Sequence, residues 1–325
     1  MKLALAVQLP KPPKLQYQRA DSFYSKTVAN RAVEIIMGDR LQQKSVVERP
    51  YWVQRILDYV TVRQNTDGGY NFAQGVDSGA QDTYYALAIF NLLGSPAPNV
   101  DATVGWLRRF PADNIYAYFY VAEGLTLSGQ HADEELVSRV LSLRRPNGGF
   151  GEVDVDVEAY SEFDATYRAT EILRESGISM DPTPTVQWLL KYLNHDGGFG
   201  ARGHSNLIST FHAVGSLYNL GHPVRELDRT LRFVRSCEKA DGGFTSVPNA
   251  NLSYLEEIHA GALILHMMGE QCANPEVTRK FVFGLQNSNG GFRRSVQLGI
   301  STFEDTYYAL ILLRILSTIH KAVEE

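Results

Sequence analysis

The sequence predicts an all-helical protein made of about six tandem helix pairs, and three observations support this fold class. A glycine pair followed by an aromatic residue recurs five times along the 325 residues. The segments before the glycine pairs have the apolar spacing of amphipathic helices, whereas the segments after them are apolar almost all round. A single glycine follows most of the apolar segments, where helices commonly end in a left-handed residue.

The glycine pairs define the length of the repeat. They occur in Asp67-Gly68-Gly69-Tyr70, Asn147-Gly148-Gly149-Phe150, Asp196-Gly197-Gly198-Phe199, Asp241-Gly242-Gly243-Phe244 and Asn289-Gly290-Gly291-Phe292. Their aromatic residues lie 80, 49, 45 and 48 residues apart, so the first interval contains one further, degenerate unit near residues 110–116. A period of this length is typical of helical arrays, because single units cannot bury their apolar faces alone.

The two kinds of helix predict two layers. Residues 53–60 and 186–193 place apolar side chains at i, i+3, i+4 and i+7, which suits outer helices with one buried stripe. Residues 84–90 and 307–313 are apolar almost throughout, which suits inner helices. The glycines expected to end the inner helices are Gly94, Gly129, Gly177, Gly221 and Gly269.

Composition narrows the classes of function. Hydrophobic residues make up 44% of the chain and charged residues 21%, and the net charge is −5, so no basic excess indicates a nucleic-acid partner. Cys237 and Cys272 form no CxxC motif and no disulfide framework, which favours a reducing compartment. We therefore expect a cytoplasmic protein.

The sequence near the two ends of the chain determines the predicted boundaries of the repeat domain. Prolines interrupt the short apolar start, so residues 1–24 are predicted to be an N-terminal tail and residues 25–320 the repeat domain. Residues 25–38 are predicted to add a further inner helix. No apolar run reaches the roughly 18 residues that span a bilayer, so any membrane contact is expected to be peripheral.

Aligning the glycines that end the inner helices also aligns carboxylates at the helix starts. One aligned position holds Asp82, Ala117, Ala165, Ser209, Glu257 and Asp305, and the position before it holds Gln81, Tyr116, Asp164, Ile208, Glu256 and Glu304. Acidic residues in a first turn stabilise the helix dipole, so architecture alone can explain them. Because these carboxylates lie at equivalent positions of the inner helices, they are also candidate catalytic residues at one end of the inner layer.

The repeats resemble those of a known superfamily. Gln64-Asn65-Thr66-Asp67-Gly68-Gly69-Tyr70 and Gln286-Asn287-Ser288-Asn289-Gly290-Gly291-Phe292 resemble the QxxDGGW/F repeat of squalene-hopene and oxidosqualene cyclases. The unit from Gly290 to Leu310 is equally similar to the repeat of protein prenyltransferase β subunits. The resemblance covers about residues 25–320. It implies an α/α toroid, with two concentric helix rings closed around an aromatic cavity that receives an isoprenoid chain.

The prenyltransferase branch uses zinc held by an Asp-x-Cys pair and a histidine, because the metal activates a thiolate ligand in that reaction. The aligned residues here are Tyr254, Glu256 and Asp305, so that triad is absent. A shifted set of Glu257, His259 and Asp305 is rich in oxygen and does not reproduce such a site. No zinc is expected. A transferase-like role would imply a helical α-subunit partner.

The class II cyclase branch protonates an alkene or epoxide with the middle residue of an Asp-x-Asp-Asp motif. Here Glu162-Phe163-Asp164-Ala165 keeps the first two carboxylates, and Glu304-Asp305 keeps another pair. Neighbouring carboxylates keep such an acid protonated. The resemblance therefore implies the catalytic candidates Glu162, Asp164, Glu304 and Asp305.

Further residues are candidates for substrate contact. They are Gln81, Asp82, Tyr84, Tyr167, Arg202, Phe211, Glu256, His259 and Tyr307. The aromatic rings could stabilise carbocations through their π faces, but core packing explains them equally well. Arg202 belongs to half of a Gly-Gly-Phe-x-Gly-Arg diphosphate element. The acidic loop at residues 152–158 could hold Mg²⁺ against a diphosphate or could simply be solvated.

Three functions remain open from the sequence. The first is a small isoprenoid cyclase started by proton transfer from Asp164 or Glu304. The second is a prenyltransferase β-like subunit that lacks the zinc triad. The third is a non-catalytic toroid that binds an isoprenoid. All three imply an isoprenoid or prenyl diphosphate ligand.

Overall fold

A computed structural model describes residues 49–151, 160–297 and 299–317. Within these residues there are twelve α-helices and one pair of short antiparallel strands. The helices are α1 (Tyr51–Thr61), α2 (Ala80–Leu92), α3 (Val100–Arg109), α4 (Ile115–Leu127), α5 (Glu134–Ser142), α6 (Tyr160–Glu175), α7 (Thr183–Leu190), α8 (Leu207–Asn219), α9 (Asp228–Cys237), α10 (Leu255–Met268), α11 (Pro275–Phe283) and α12 (Phe303–Ser317). The strands are β1 (Phe292–Arg293) and β2 (Ser301–Thr302), with Phe292 opposite Thr302.

The helices form a closed double ring. The even-numbered helices form the inner ring, because each packs against the next and α12 packs against α2. Each odd-numbered helix lies outside and is followed in the chain by an inner one. The six predicted helix pairs and the all-helical fold class are thus confirmed, including the degenerate unit, which is α3 and α4. The layout is that of an α/α toroid.

Burial follows the two apolar patterns seen in the sequence. In α2 every side chain from Thr83 to Phe90 is buried. The helix has neighbours on both sides in the inner ring, its outer side faces the outer layer, and its remaining side faces the ring axis. In α1 only Ile56, Leu57, Tyr59 and Val60 are buried, which is the single stripe expected of an outer helix. The predicted inner and outer layers are therefore both present.

The glycine pairs connect neighbouring units and close the ring. Gly290 has a φ of 96°, and a Cβ atom there would collide with the backbone carbonyl of Arg55 in α1. The last loop therefore packs directly on the first outer helix, which only glycine permits. The Asn289 side chain accepts a hydrogen bond from the N–H of Gly291 at 3.0 Å, which fixes the turn.

In four of the five glycine-pair loops, a threonine on the inner helix holds the loop in register. The hydroxyl of Thr306 accepts a hydrogen bond from the N–H of Phe292 at 3.0 Å. Equivalent bonds join three further aromatic residues to inner-helix threonines: Tyr70 to Thr83, Phe150 to Thr166 and Phe199 to Thr210. The sequence analysis did not single out these threonines. The Gly-Gly-aromatic motif thus has an architectural role in this fold.

One helix start differs from the predicted register. Helix α6 begins at Tyr160, so Asp164 and Ala165 lie in its second turn and Glu162 is its first-turn acid. Apolar positions facing the ring continue back to Phe163, which is fully buried, so the helix extends beyond the alignment. The glycines predicted to end the inner helices all have positive φ angles, from 59° at Gly94 to 83° at Gly269.

Some sequence predictions concern residues that the structure does not describe. The tail at 1–24, the helix at 25–38 and the acidic loop at 152–158 lie outside the described residues. Among the helices that the structure does describe, none is long and apolar enough to cross a membrane.

Candidate functional site

The inner helices project an aromatic belt toward the ring axis. One residue from each helix contributes at the same register: Tyr84, Phe119, Tyr167, Phe211, His259 and Tyr307. The ring centroids of Phe211 and His259 are 5.7 Å apart, and those of Tyr84 and Tyr307 are 6.1 Å apart, so contact continues across the closure of the ring. Five of the six were predicted to contact substrate. Phe119 was not predicted, although it lies ten residues before the helix-ending glycine Gly129, as Tyr84 does before Gly94.

Arg168 crosses the one gap in this belt. Its guanidinium lies 4.8 Å from the ring of Phe119 and 5.1 Å from those of Tyr116 and Tyr120. Its Nε atom is 2.8 Å from Oδ1 of Asp164, one helical turn earlier. The belt is therefore closed on this side by a cation held between aromatic faces and a carboxylate. The sequence analysis did not identify Arg168.

The belt lines a small central cavity of about 120 Å³. Gly215 helps to shape it, because a Cβ atom there would lie 2.7 Å from the ring of Tyr167. Typical small-molecule sites occupy about 300–1,000 Å³. A long isoprenoid chain therefore requires belt side chains to rotate out of this arrangement.

Asp164 and Glu304, two predicted acids, both have fixed partners. Asp164 pairs with Arg168, and its Oδ1 atom lies 3.6 Å from Nε2 of His212. Burial lowers the pKa of His212 to about 4, so this imidazole is neutral at pH 7. Glu304 accepts hydrogen bonds from the hydroxyls of Tyr85 at 2.9 Å and Tyr308 at 2.8 Å.

Other predicted acids cap helices. Asp305 accepts a hydrogen bond from the Thr302 hydroxyl at 2.7 Å, and Glu257 accepts one from the N–H of Tyr254 at 2.7 Å. Burial raises the pKa of each carboxyl to about 7. Burial also raises the pKa of Asp82 to about 6, although a backbone hydrogen bond from Phe72 opposes the shift.

Two further predicted acids form ion pairs with arginines. Glu162 pairs with Arg145, and burial raises the pKa of its carboxyl despite that neighbour. Glu256 accepts a hydrogen bond from Nε of Arg294 at 2.7 Å. We call the seven acids of the first two turns the N-terminal carboxylates. They are Asp82, Glu162, Asp164, Glu256, Glu257, Glu304 and Asp305.

The remaining predicted residues are separated from one another. Gln81 is exposed and donates to Glu304 at 3.4 Å. Arg202 is exposed in a short 3₁₀ turn and is not part of the cavity lining. His259 stacks on Tyr308 at 4.2 Å, and burial lowers the pKa of its imidazole to about 3. Nowhere in the described ranges do three or more metal-ligating side chains converge.

The structure also contains interior carboxylates that the sequence analysis missed: Glu123 on α4 and Glu171 and Glu175 on α6. Glu171 lines the cavity, and Glu123 is only 6% exposed. Arg174 lies 3.1 Å from Glu175 and 3.9 Å from Glu171. Burial raises the pKa of all three carboxyls, and the neighbouring acids raise that of Glu123 further. In the sequence, the feature that could have identified Glu123 is a glutamate within the apolar run of α4.

Comparison with known proteins identifies the family. The chain matches the prenyltransferase alpha-alpha toroid domain over residues 28–115, 111–264 and 257–325, and it belongs to that family. A comparison of the sequence with curated proteins gives no match.

Two solved structures share the fold. The chain is similar to Candida albicans protein geranylgeranyltransferase-I complexed with GGPP, with a TM-score of 0.63 and 15% identity over 91% of this chain and 93% of that one. It is also similar to a variant of the type II terpene cyclase MstE from Scytonema in complex with merosterolic acid A, with a TM-score of 0.54 and 11% identity over 82% of this chain and 95% of that one. Identity this low supports the shared fold alone.

Proposed function

We propose that this protein is an isoprenoid cyclase whose reaction starts with proton transfer to an alkene or epoxide. The observation that supports this most directly is the aromatic belt around the cavity. Carbocations need π faces nearby and no competing water, and one ring from each of the six inner helices provides the first condition. Burial of Tyr84 on the axis, which is 9% exposed, supports the second.

The reaction would use the chain's own groups in a simple order. An isoprenoid enters after the belt rings rotate, and its apolar chain replaces ring contacts along the axis. A carboxylic acid protonates one end, and the cation that forms lies against the belt. Two sets of acids are available for this step, the N-terminal carboxylates, which include the sequence candidates Asp164 and Glu304, and the interior carboxylates. Protonation of carbon by a positioned acid contributes about 10²- to 10⁴-fold in rate.

A prenyltransferase-like function is the second candidate, and Arg168 is the observation that favours it. A buried guanidinium facing the cavity could bind the diphosphate of a prenyl donor. Asp164 already pairs with this guanidinium, however, and the aspartate, cysteine and histidine of the family's zinc site are replaced by Tyr254, Glu256 and Asp305. We therefore favour the cyclase.

The test is product analysis with the purified full-length chain. Prenyl diphosphates of several lengths, squalene and its epoxide are incubated with and without a chelator and analysed by mass spectrometry. A cyclase gives a cyclic product without added metal or peptide. A product that needs a cysteine-containing acceptor, a partner chain or stoichiometric zinc by elemental analysis identifies a transferase instead. Intact lipid recovered from the protein, with no conversion, identifies a binding protein.

A further inference from the structure

We infer that Tyr308 removes the proton that ends the reaction and passes its own phenolic proton to Glu304. The inference rests on the proposed cyclase function and assigns its last step, the conversion of the final carbocation to an alkene. Two hydrogen bonds and the position of Tyr308 on the cavity wall support it. Glu304 is then the final proton acceptor and not the acid that starts the reaction.

Two tyrosine hydroxyls meet at one carboxylate oxygen beside the cavity. Oε1 of Glu304 accepts hydrogen bonds from the hydroxyls of Tyr308 at 2.8 Å and Tyr85 at 2.9 Å. Glu304 and Tyr308 lie four residues apart on α12, whereas Tyr85 lies on α2, across the closure of the ring. Both tyrosines line the cavity, and Glu304 is not part of the cavity lining. A substrate in the cavity therefore meets the phenols and not the carboxylate.

The direction of these hydrogen bonds leaves the Tyr308 oxygen able to accept a proton. A hydroxyl that donates its hydrogen to a carboxylate keeps its oxygen lone pairs as acceptors. The ring of Tyr308 stacks on His259, with centroids 4.2 Å apart, which fixes the phenol on the cavity wall. A phenol alone is a weak base, but a phenol that releases its own proton to a carboxylate does not become positively charged. The pair can therefore act where Tyr308 alone could not.

The contacts of Glu304 fit a proton acceptor better than a proton donor. Within the described residues, its side chain accepts every hydrogen bond that it makes, from Tyr85, Tyr308 and, at 3.4 Å, from Nε2 of Gln81. An ionised carboxylate only accepts hydrogen bonds, whereas a carboxylic acid also needs an acceptor for its O–H group. This environment therefore suits a carboxylate that awaits a proton.

The last step balances without a further reagent. A C–H bond next to the cationic carbon breaks, and its electron pair forms the C=C bond of the product. The proton binds the oxygen of Tyr308 as the phenolic proton moves to Oε1 of Glu304. Tyr308 is neutral before and after the step, and Glu304 becomes a carboxylic acid. Glu304 is only partly buried and Gln81 beside it is exposed, so the carboxyl can then lose its proton to water.

The experiment measures substrate loss and product composition separately in variants of the full-length protein. Tyr308→Phe keeps the ring but removes the oxygen. The alkene that dominates in wild type should become a minor product, replaced by other alkene isomers or by an alcohol from water capture. Glu304→Gln should change the products in the same way, because an amide cannot accept the phenolic proton. In both variants kcat for substrate loss should change by less than about tenfold, because the first protonation does not use this pair.

Tyr59→Phe is the matched control for the loss of a buried tyrosine hydroxyl. The hydroxyl of Tyr59 donates to the carbonyl of Ser301 at 2.9 Å, just before α12 begins. Tyr59 lies on the outer helix α1 and is not part of the cavity lining. Its substitution should therefore leave the product composition unchanged.

The outcomes separate this inference from the proposed function. If Tyr308→Phe forms the wild-type alkene in unchanged proportion, or if Tyr59→Phe changes the products as much, the inference is wrong and the cyclase stands. The same holds if only Tyr85→Phe changes the products, or if Glu304→Gln abolishes substrate loss and Tyr308→Phe has no effect. A wild-type product that is an alcohol would show that water ends the reaction. If wild-type protein forms no cyclised product from any substrate, the proposed function falls and this step falls with it.

Discussion

The N-terminal carboxylates and the interior carboxylates use the same side-chain chemistry in two different settings. At the helix starts, Asp305 caps through Thr302, Glu256 pairs with Arg294 and Asp164 pairs with Arg168. In the interior, Glu171 and Glu175 share one guanidinium, that of Arg174, whose charge also opposes the raised pKa of the buried Glu123. The two sets therefore differ in how many acids one cation serves. Burial raises the pKa of acids in both sets, at Asp305 and Glu162 as well as at Glu123 and Glu171.

The largest effect is expected at the glycine loops beside the N-terminal carboxylates. Gly290→Ala should lower the free energy of unfolding by about 3 kcal/mol, because a positive φ and a backbone collision with Arg55 both oppose a Cβ atom. Urea denaturation measures this. Gly75→Ala is the control, because its φ is 78° but no atom lies within 4 Å, so it should lose only about 1 kcal/mol. Equal losses in the two variants would show that the loop contact is not what closes the ring.

Removing the interior cation should have the next largest effect. Arg174→Met leaves Glu171 and Glu175 without their shared partner and should cost about 2 kcal/mol at pH 8, allowing for its 24% exposure. The folded-state pKa of both acids is already raised above 4.5, so their contribution to stability is present below that pH and is lost as pH rises. The variant raises those pKa values further. Its stability loss should therefore vanish in acid, as thermal unfolding between pH 4 and pH 8 can show.

A matched variant at the helix starts sharpens that result. Arg145→Met removes the partner of Glu162, and among the residues that the structure describes no second acid pairs with Arg145. We expect a smaller loss of stability than for Arg174→Met, with a shallower dependence on pH. A loss as large and as steep as that of Arg174→Met would contradict the contrast between the two sets of acids.

The smallest effect is expected at Tyr167, where ring and hydroxyl can be separated. Tyr167→Phe removes the hydroxyl but keeps the belt ring, so kcat should change by less than about tenfold, since a hydrogen bond of that hydroxyl would contribute about 1 kcal/mol. Tyr167→Ala removes the ring as well and should cost more than the hydroxyl alone. If the two variants were equally impaired, the ring would have no role in turnover.

The sequence predicted most of the architecture because the relevant signals are local. The glycine pairs, the helix-ending glycines and the difference between striped and fully apolar helices all depend on a few neighbouring residues. They were sufficient for six helix pairs in two layers. They also predicted five of the six belt residues, since four of these lie ten residues before a helix-ending glycine and Tyr307 aligns with Tyr84 through the repeated Tyr-Tyr-Ala-Leu sequence. Helix α6 includes Tyr160, four residues before Asp164, which the alignment of the inner helices did not predict.

By itself, the sequence determined the repeat, the helices and the register of the belt, because periodicity and loop chemistry act within a single unit. Only the tertiary structure decided which groups from different helices meet. Arg168 reaches the ring of Phe119, and Arg174 acts on Glu123, only because α4 and α6 become neighbours in the ring. The pair of Asp164 and Arg168 lies within one helix, but burial and contacts between helices depend on residues far apart in the chain, and those contacts exist only once the ring has closed.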